Sequence, residues 1–354
     1  MARGKPAIGL DIGSSMVKII QFKETKKGYR LVNFGMVTLP PETIVDGALM
    51  NSTAVVEVIK ELLASTRIKA KDVAISLSGH SVIIKKITLP VMSQEELEES
   101  IHWEAEQYIP FDINDVNVDV TIINPQSAVQ GQMDVLLVAA KKEMIHDYTA
   151  VVNEAGLQPV VVDVDVFALQ NMFELNYQIP PQDTVVLCNI GAGSVNINIL
   201  ANGVSAFTRD VSLGGNQFTE EIQKQLNVAF EEAEALKIGG HATGDADSVV
   251  PQEVERIIQG VSANMATELQ RSIDFYTATS ADSRISRVYL CGGTAKVQSL
   301  SRVLEAKLGI PVELLNPFRN IEIDKNQFDP DYIQDVAPIA GISVGLGVRR
   351  AGDK

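Results

Sequence analysis

An internal repeat constrains this chain more than any other feature. GLDIGSSMVKII (Gly9 to Ile20) and CNIGAGSVNINI (Cys188 to Ile199) are two versions of one pattern. Each reads as a buried strand ending in an acidic or amide residue, then Ile-Gly, a small-residue turn and a second strand. Gly13 and Gly191 align at a separation of 178 (191 − 13), about half of the 354-residue chain. One such turn alone is an ordinary β-hairpin. Two copies at half-length spacing predict two related domains facing each other.

The residue types suggest the chemistry. Glycine and serine let backbone N–H groups approach phosphate oxygens and form an anion-binding nest. Gly13, Ser14 and Ser15 supply this in the first copy, and Gly191, Gly193 and Ser194 in the second. Lys18, on the strand after the first turn, reaches a phosphate as a point charge. Asp11 is expected to hold Mg²⁺ through water, since that ion dehydrates reluctantly. A third glycine turn, Gly292-Gly293-Thr294, follows the strand RVYLC and precedes a helix. Its flat backbone suits an adenine or ribose, although strand-Gly-Gly-helix turns occur in many α/β folds.

The chain is long enough for two cores. Its 45% hydrophobic and 21% charged residues are the balance of a soluble globular protein. The formal net charge of −15 makes nucleic acid and anionic lipid poor partners. Cys188 and Cys291 sit in apolar runs without a CxxC pattern, and the four histidines form no cluster. A zinc site is not expected. No stretch approaches the roughly 18 apolar residues of a membrane span, and no signal peptide is evident. The expectation is a cytoplasmic protein that meets a membrane only through partners.

The order of elements completes the picture. Residues 53–65 carry apolar positions at helical spacing. SQEELEESIHWEAEQYI reads as a helix with Ser93 as N-cap and Glu96 three residues on, a capping box. The mixed strands and helices of residues 71–155 suggest an inserted subdomain. The first half is expected over 1–182 and the second over 183–338, with a small subdomain at 215–258. A C-terminal helix, 339–354, is expected to return to the first half. HATGDADS reads as a polar loop, and a long helix is expected from about Pro251 to Ser280.

In this order the chain resembles the α/β actin-like ATPase fold shared by actin, sugar kinases and heat-shock chaperones. Within that superfamily it is most similar to the PilM family of type IV pilus assembly proteins, which are related to FtsA. The residues that carry this are GLDIGSSMVKII, LPPETIVDGALMN, HWEAEQYIPF, VDVDVFALQNMF, GGNQFTEEI, AEALKIG and GISVGLGVRR. The resemblance implies ATP and Mg²⁺ between two duplicated nucleotide-binding domains, with an FtsA/PilM-type inserted subdomain. It also implies capture of the N-terminal cytoplasmic peptide of PilN in a groove between the first domain and the insertion, close to other pilus assembly proteins near the motor. Glu234 and Lys237, in AEALKIG, match the helix that contacts ribose and adenine. Asp165 stands where relatives carry the Glu or Gln that positions the attacking water.

Two departures bear on hydrolysis. The second loop normally begins with Asp, and here position 189 is Asn. An amide still accepts a hydrogen bond from metal-bound water, yet it supplies no charge and no base. Asp165 is one methylene shorter than the usual side chain. Phosphoryl transfer depends on positioning and electrostatics, so binding with very slow turnover is expected. Alternative readings are a filament former of the FtsA or MreB type and a kinase-like phosphotransferase, for which Asp165 is the one base candidate. The chain ends at RRAGDK without the amphipathic membrane helix of FtsA, which favours docking through a partner.

Overall fold

The computed structural model describes residues 4–127, 129–180, 182–239, 252–280 and 284–353. β1 (Ile8–Ile12), β2 (Met16–Thr25) and β3 (Gly28–Thr38) form an antiparallel meander. A short hairpin, β4 (Ile44–Val45) with β5 (Ala48–Leu49), leads into α1 (Ser52–Thr66). Asn51 caps α1, its side chain accepting from the Ala54 N–H. β6 (Asp72–Leu77) then pairs in parallel with β1.

The chain next leaves this sheet. β7 (Val82–Pro90), α2 (Gln94–Ala105), β8 (Val116–Asn124) and β9 (Gln132–Lys141) build a unit with strand order β7-β9-β8. Its own core includes Leu97, Ile101, Val135 and Leu137. The capping box of α2 is formed: Ser93 Oγ accepts from Glu96 N–H, and the Glu96 carboxylate accepts from Ser93 N–H. α3 (Lys142–Glu154) and β10 (Gln158–Val164) return to the first sheet, and α4 (Asp165–Asn176) crosses to the second half.

The second half repeats the plan. β11 (Thr184–Ile190), β12 (Val195–Ala201) and β13 (Val204–Val211) form its meander. α5 (Gly215–Leu226), α6 (Phe230–Lys237) and α7 (Gln252–Thr279) follow. β14 (Ile285–Cys291), α8 (Leu300–Leu308), β15 (Val312–Leu314), α9 (Pro330–Val336) and α10 (Gly341–Gly347) complete the chain. The sheet orders β10-β6-β1-β2-β3 and β15-β14-β11-β12-β13 match strand for strand. The duplication read from two hairpins therefore extends through both domains.

The boundaries of the insertion differ from the 71–155 expected. β6 is buried along almost its whole length between β1 and β10, so it belongs to the first sheet. α3 buries Met144, Tyr148, Val151 and Val152 in the first-half core. The separate sheet spans only residues 82–141. A strand or helix looks the same in sequence whichever core it joins, so periodicity could not place this boundary. Of the 215–258 segment, α5, α6 and the start of α7 are described, and HATGDADS lies outside the described residues. The helix expected over 339–354 is only α10, which a 3-10 turn over 337–340 precedes.

A third core holds the halves together. Ile20 and Phe34 of the first sheet meet Leu187 and Tyr289 of the second around α4, where Leu169, Met172 and Phe173 are buried. Phe173 stacks on Tyr177 with ring centroids 5.1 Å apart. Burying each such side chain contributes about 1.5–3 kcal/mol. α10 lies directly on α4 and β1. A Cβ on Gly345 would overlap the Ala168 carbonyl, and one on Gly9 would overlap the backbone of Ser343 and Gly347. GISVGLG is glycine-rich because backbone meets backbone here.

Candidate functional site

Both repeated hairpins close in the same way. Gly13 N–H donates to Met16 O at 3.1 Å, and Gly191 N–H to Ser194 O at 2.9 Å. The two turns touch each other, Gly193 N–H donating to Ser14 Oγ at 3.1 Å. Ser15 is exposed, while its carbonyl accepts from Leu39 N–H at 2.8 Å.

The strand positions behind each turn also correspond. Asp11 lies opposite Lys18 on β1 and β2, and their buried ion pair closes at 2.9 Å. At the same positions of the second copy, Asn189 lies opposite Asn196, with Asn189 Nδ2 donating to Asn196 Oδ1 at 2.9 Å. The first hairpin thus carries a charged pair and the second a neutral amide pair.

The glycine turn after β14 packs against the second hairpin. Gly292 has φ +93°, and a Cβ there would overlap Ile190 O. Gly293 has open space around it. Thr294 Oγ1 donates to Gly191 O at 2.8 Å, and Gly215 N–H donates to the same oxygen at 2.9 Å. Lys237 is buried on α6, its Nζ donating to Glu234 Oε2 at 2.6 Å, Thr219 Oγ1 at 3.0 Å and Gly215 O at 3.3 Å. The Glu234–Lys237 pair therefore braces the start of α5 beside the second hairpin.

Asp165 opens α4 from the floor of the first half. Ser76 Oγ donates to its Oδ1 at 2.5 Å. Desolvation, and next the nearby Asp11 charge, push the Asp165 pKa up to about 7, against the lowering effect of the Ser76 and Ser78 hydrogen bonds. Asp210 on β13 adds to the same rise. A carboxyl balanced near neutrality can take or give a proton at ordinary pH.

The structure brings most of the residues read from the sequence close to the two hairpins, with the Ser15 side chain exposed. Sequence reasoning missed Ser76, Asn196, Asp210, Thr219 and Gly215. Asn196 was available, since it is Lys18 carried forward by the repeat spacing. Asp210 carries no local motif and is placed only by the sheet. Among the described residues, no three His, Cys, Asp or Glu side chains converge as a metal site.

Two duplicated sheets, each with a glycine hairpin facing the other, define the actin-like ATPase class. MreB5 of Spiroplasma citri bound to AMPPNP shares the fold, with TM-score 0.51 and 12% identity over 94% of this chain and 98% of that one. The chain belongs to the type IV pilus assembly protein PilM family, whose model matches residues 9–351. A solved PilM–PilN type IV pilus biogenesis complex is similar at TM-score 0.85 and 30% identity, covering 97% of this chain and 98% of that one. The cell division protein FtsA of Pseudomonas aeruginosa is 25% identical over 357 residues, 89% of this chain and 84% of that protein. Among the described residues, no helix is long and apolar enough to cross a membrane.

Proposed function

We propose that this protein is an ATP-binding scaffold of the type IV pilus inner-membrane complex, docking to the membrane by capturing the N-terminal cytoplasmic peptide of PilN. The observation that carries this reading is the near-complete structural likeness, at 30% identity, to a solved PilM–PilN complex. The groove is assigned to the junction of the first half with the β7-β9-β8 sheet. Other pilus assembly proteins near the motor are further partners in this reading.

ATP is assigned to the cleft. Gly13, Ser14 and Lys18 on one side, and Gly191, Gly193 and Ser194 on the other, take the phosphates. Gly292, Gly293 and Thr294, with Glu234 and Lys237, border the nucleoside. Asp11 is the residue that would hold Mg²⁺. Its Oδ2 is engaged by Lys18, while Oδ1 faces the Gly13 side of the turn. One available carboxylate oxygen without a ligand cage fits an ion that keeps its waters and takes phosphates as other ligands. That ion would supply charge neutralisation. Turnover is slow in this reading, because Asn189 brings no charge and Asp165 is short and tied to Ser76.

A fluorescein-labelled peptide of the cognate PilN N-terminus, titrated with the full chain, tests the reading. Saturable anisotropy that a scrambled peptide does not reproduce is the expected result. Equal binding of both peptides would sink it.

A further inference from the structure

Behind the second hairpin, polar side chains form one chain of hydrogen bonds with a fixed direction. Asp210 accepts twice, Oδ2 from the backbone N–H of Gly79 at 2.7 Å and Oδ1 from Asn196 Nδ2 at 2.9 Å. Asn196 Oδ1 accepts from Asn189 Nδ2 at 2.9 Å, and Asn189 Oδ1 accepts from Cys291 Sγ–H at 3.4 Å. A carboxylate has no proton to give. Asn196 is buried, so its nitrogen must face Asp210 and its oxygen must face Asn189. That orientation forces Asn189 to present its nitrogen toward Asn196 and its oxygen toward Cys291.

We infer that Asp210 is a positioning residue for the second phosphate hairpin, setting the orientation of Asn189 through Asn196 so that Asn189 offers an N–H to a phosphate oxygen. The inference rests on the nucleotide reading of the cleft. It reverses the role expected from sequence, in which the Asn189 amide accepts from metal-bound water. The Asn189 oxygen faces Cys291, a weak thiol donor that leaves it a second lone pair, and its nitrogen keeps a second N–H beyond the one given to Asn196. The neutral pair can thus serve an anion without the charge of the Asp11–Lys18 pair. Asp210 has a second consequence. Gly79 lies in the turn before β7, so the same carboxylate ties the second hairpin to the entry of the inserted sheet. His80 Nε2 lies 3.1 Å from Ser212 Oγ alongside it.

Side-chain amide spectra of the nucleotide-free full chain test the relay, with Asn189 assigned by Asn189→Asp. Asp210→Asn replaces the accept-only end by a group that can donate. Asp210→Glu keeps that end, and Ser212→Ala cuts only the neighbouring contact. The expected result is that Asp210→Asn moves the Asn189 amide resonances, while Asp210→Glu and Ser212→Ala leave them close to their original positions. ATP binding should weaken on the order of ten-fold in Asp210→Asn, with Mg²⁺ or with EDTA. Unmoved Asn189 resonances in Asp210→Asn would overturn the inference. So would a loss of affinity confined to Mg²⁺, because that marks Asn189 as an acceptor for metal-bound water. A chain that binds no ATP in any form defeats the nucleotide reading instead, and the amide spectra do not depend on it.

Discussion

Asp165 shows how one residue turns position into measurable behaviour. Its carboxyl pKa rises from 3.8 to about 7 on folding, chiefly by desolvation. The native chain then holds that proton more tightly than the unfolded chain does. Between about pH 4 and about pH 7 the native state binds more protons, so this residue makes stability fall as pH rises. The urea midpoint of the protein is expected to decline across that window. Asp165→Asn, which cannot ionise, should flatten the decline; an unchanged slope would contradict the assignment. Asp165 itself was legible, because it stands at a strand-to-helix junction in a recognisable segment. Its Ser76 partner was not, since 89 residues separate them and only the parallel pairing of β6 with β10 brings them together.

At the scale of elements, the α4–α10 crossing is set by glycine. Gly345→Ala places a methyl group into the Ala168 carbonyl, and neither backbone can yield without moving a helix. The cost should be at least about 3 kcal/mol, seen as a lower thermal unfolding midpoint. Gly260 is the contrast, exposed on α7 with no atom within 4 Å of the place a Cβ would take. Gly260→Ala should leave stability unchanged or raise it by about 0.5–1 kcal/mol, by lowering the entropy of the unfolded chain and favouring the helix. Local signals such as the Ser93–Glu96 box were readable, because capping depends on residues a few positions apart. The shortness of the C-terminal helix, α10 alone within the expected 339–354, was not, because it answers to the backbones packed against it.

For the whole molecule, the question is whether the cleft and the inserted sheet act together. Ser14 with Gly193, and Gly79 with Asp210, are hydrogen bonds between the halves. A nucleotide that strengthens these contacts should alter the junction beside the inserted sheet. PilN-peptide affinity is therefore expected to differ by at least about five-fold between nucleotide-free and ATP-loaded protein, a coupling at the lower end of the usual range. Trp103, the one tryptophan of the chain, is 80% exposed on α2 and reports on the inserted unit by its emission. Identical affinities and identical Trp103 emission in both states would mean that the cleft and groove are uncoupled.

The sequence by itself determined the duplication, the two glycine hairpins and the family. These depend on residues that act through their own backbone, within a few positions of one another, so the pattern survives in one dimension. Tertiary structure alone decided the limits of the inserted sheet, the partner of Asp165 and the place of Asp210 behind Asn189. Each of those depends on which surfaces meet, and strands far apart in the chain meet only when burial of both faces selects their pairing.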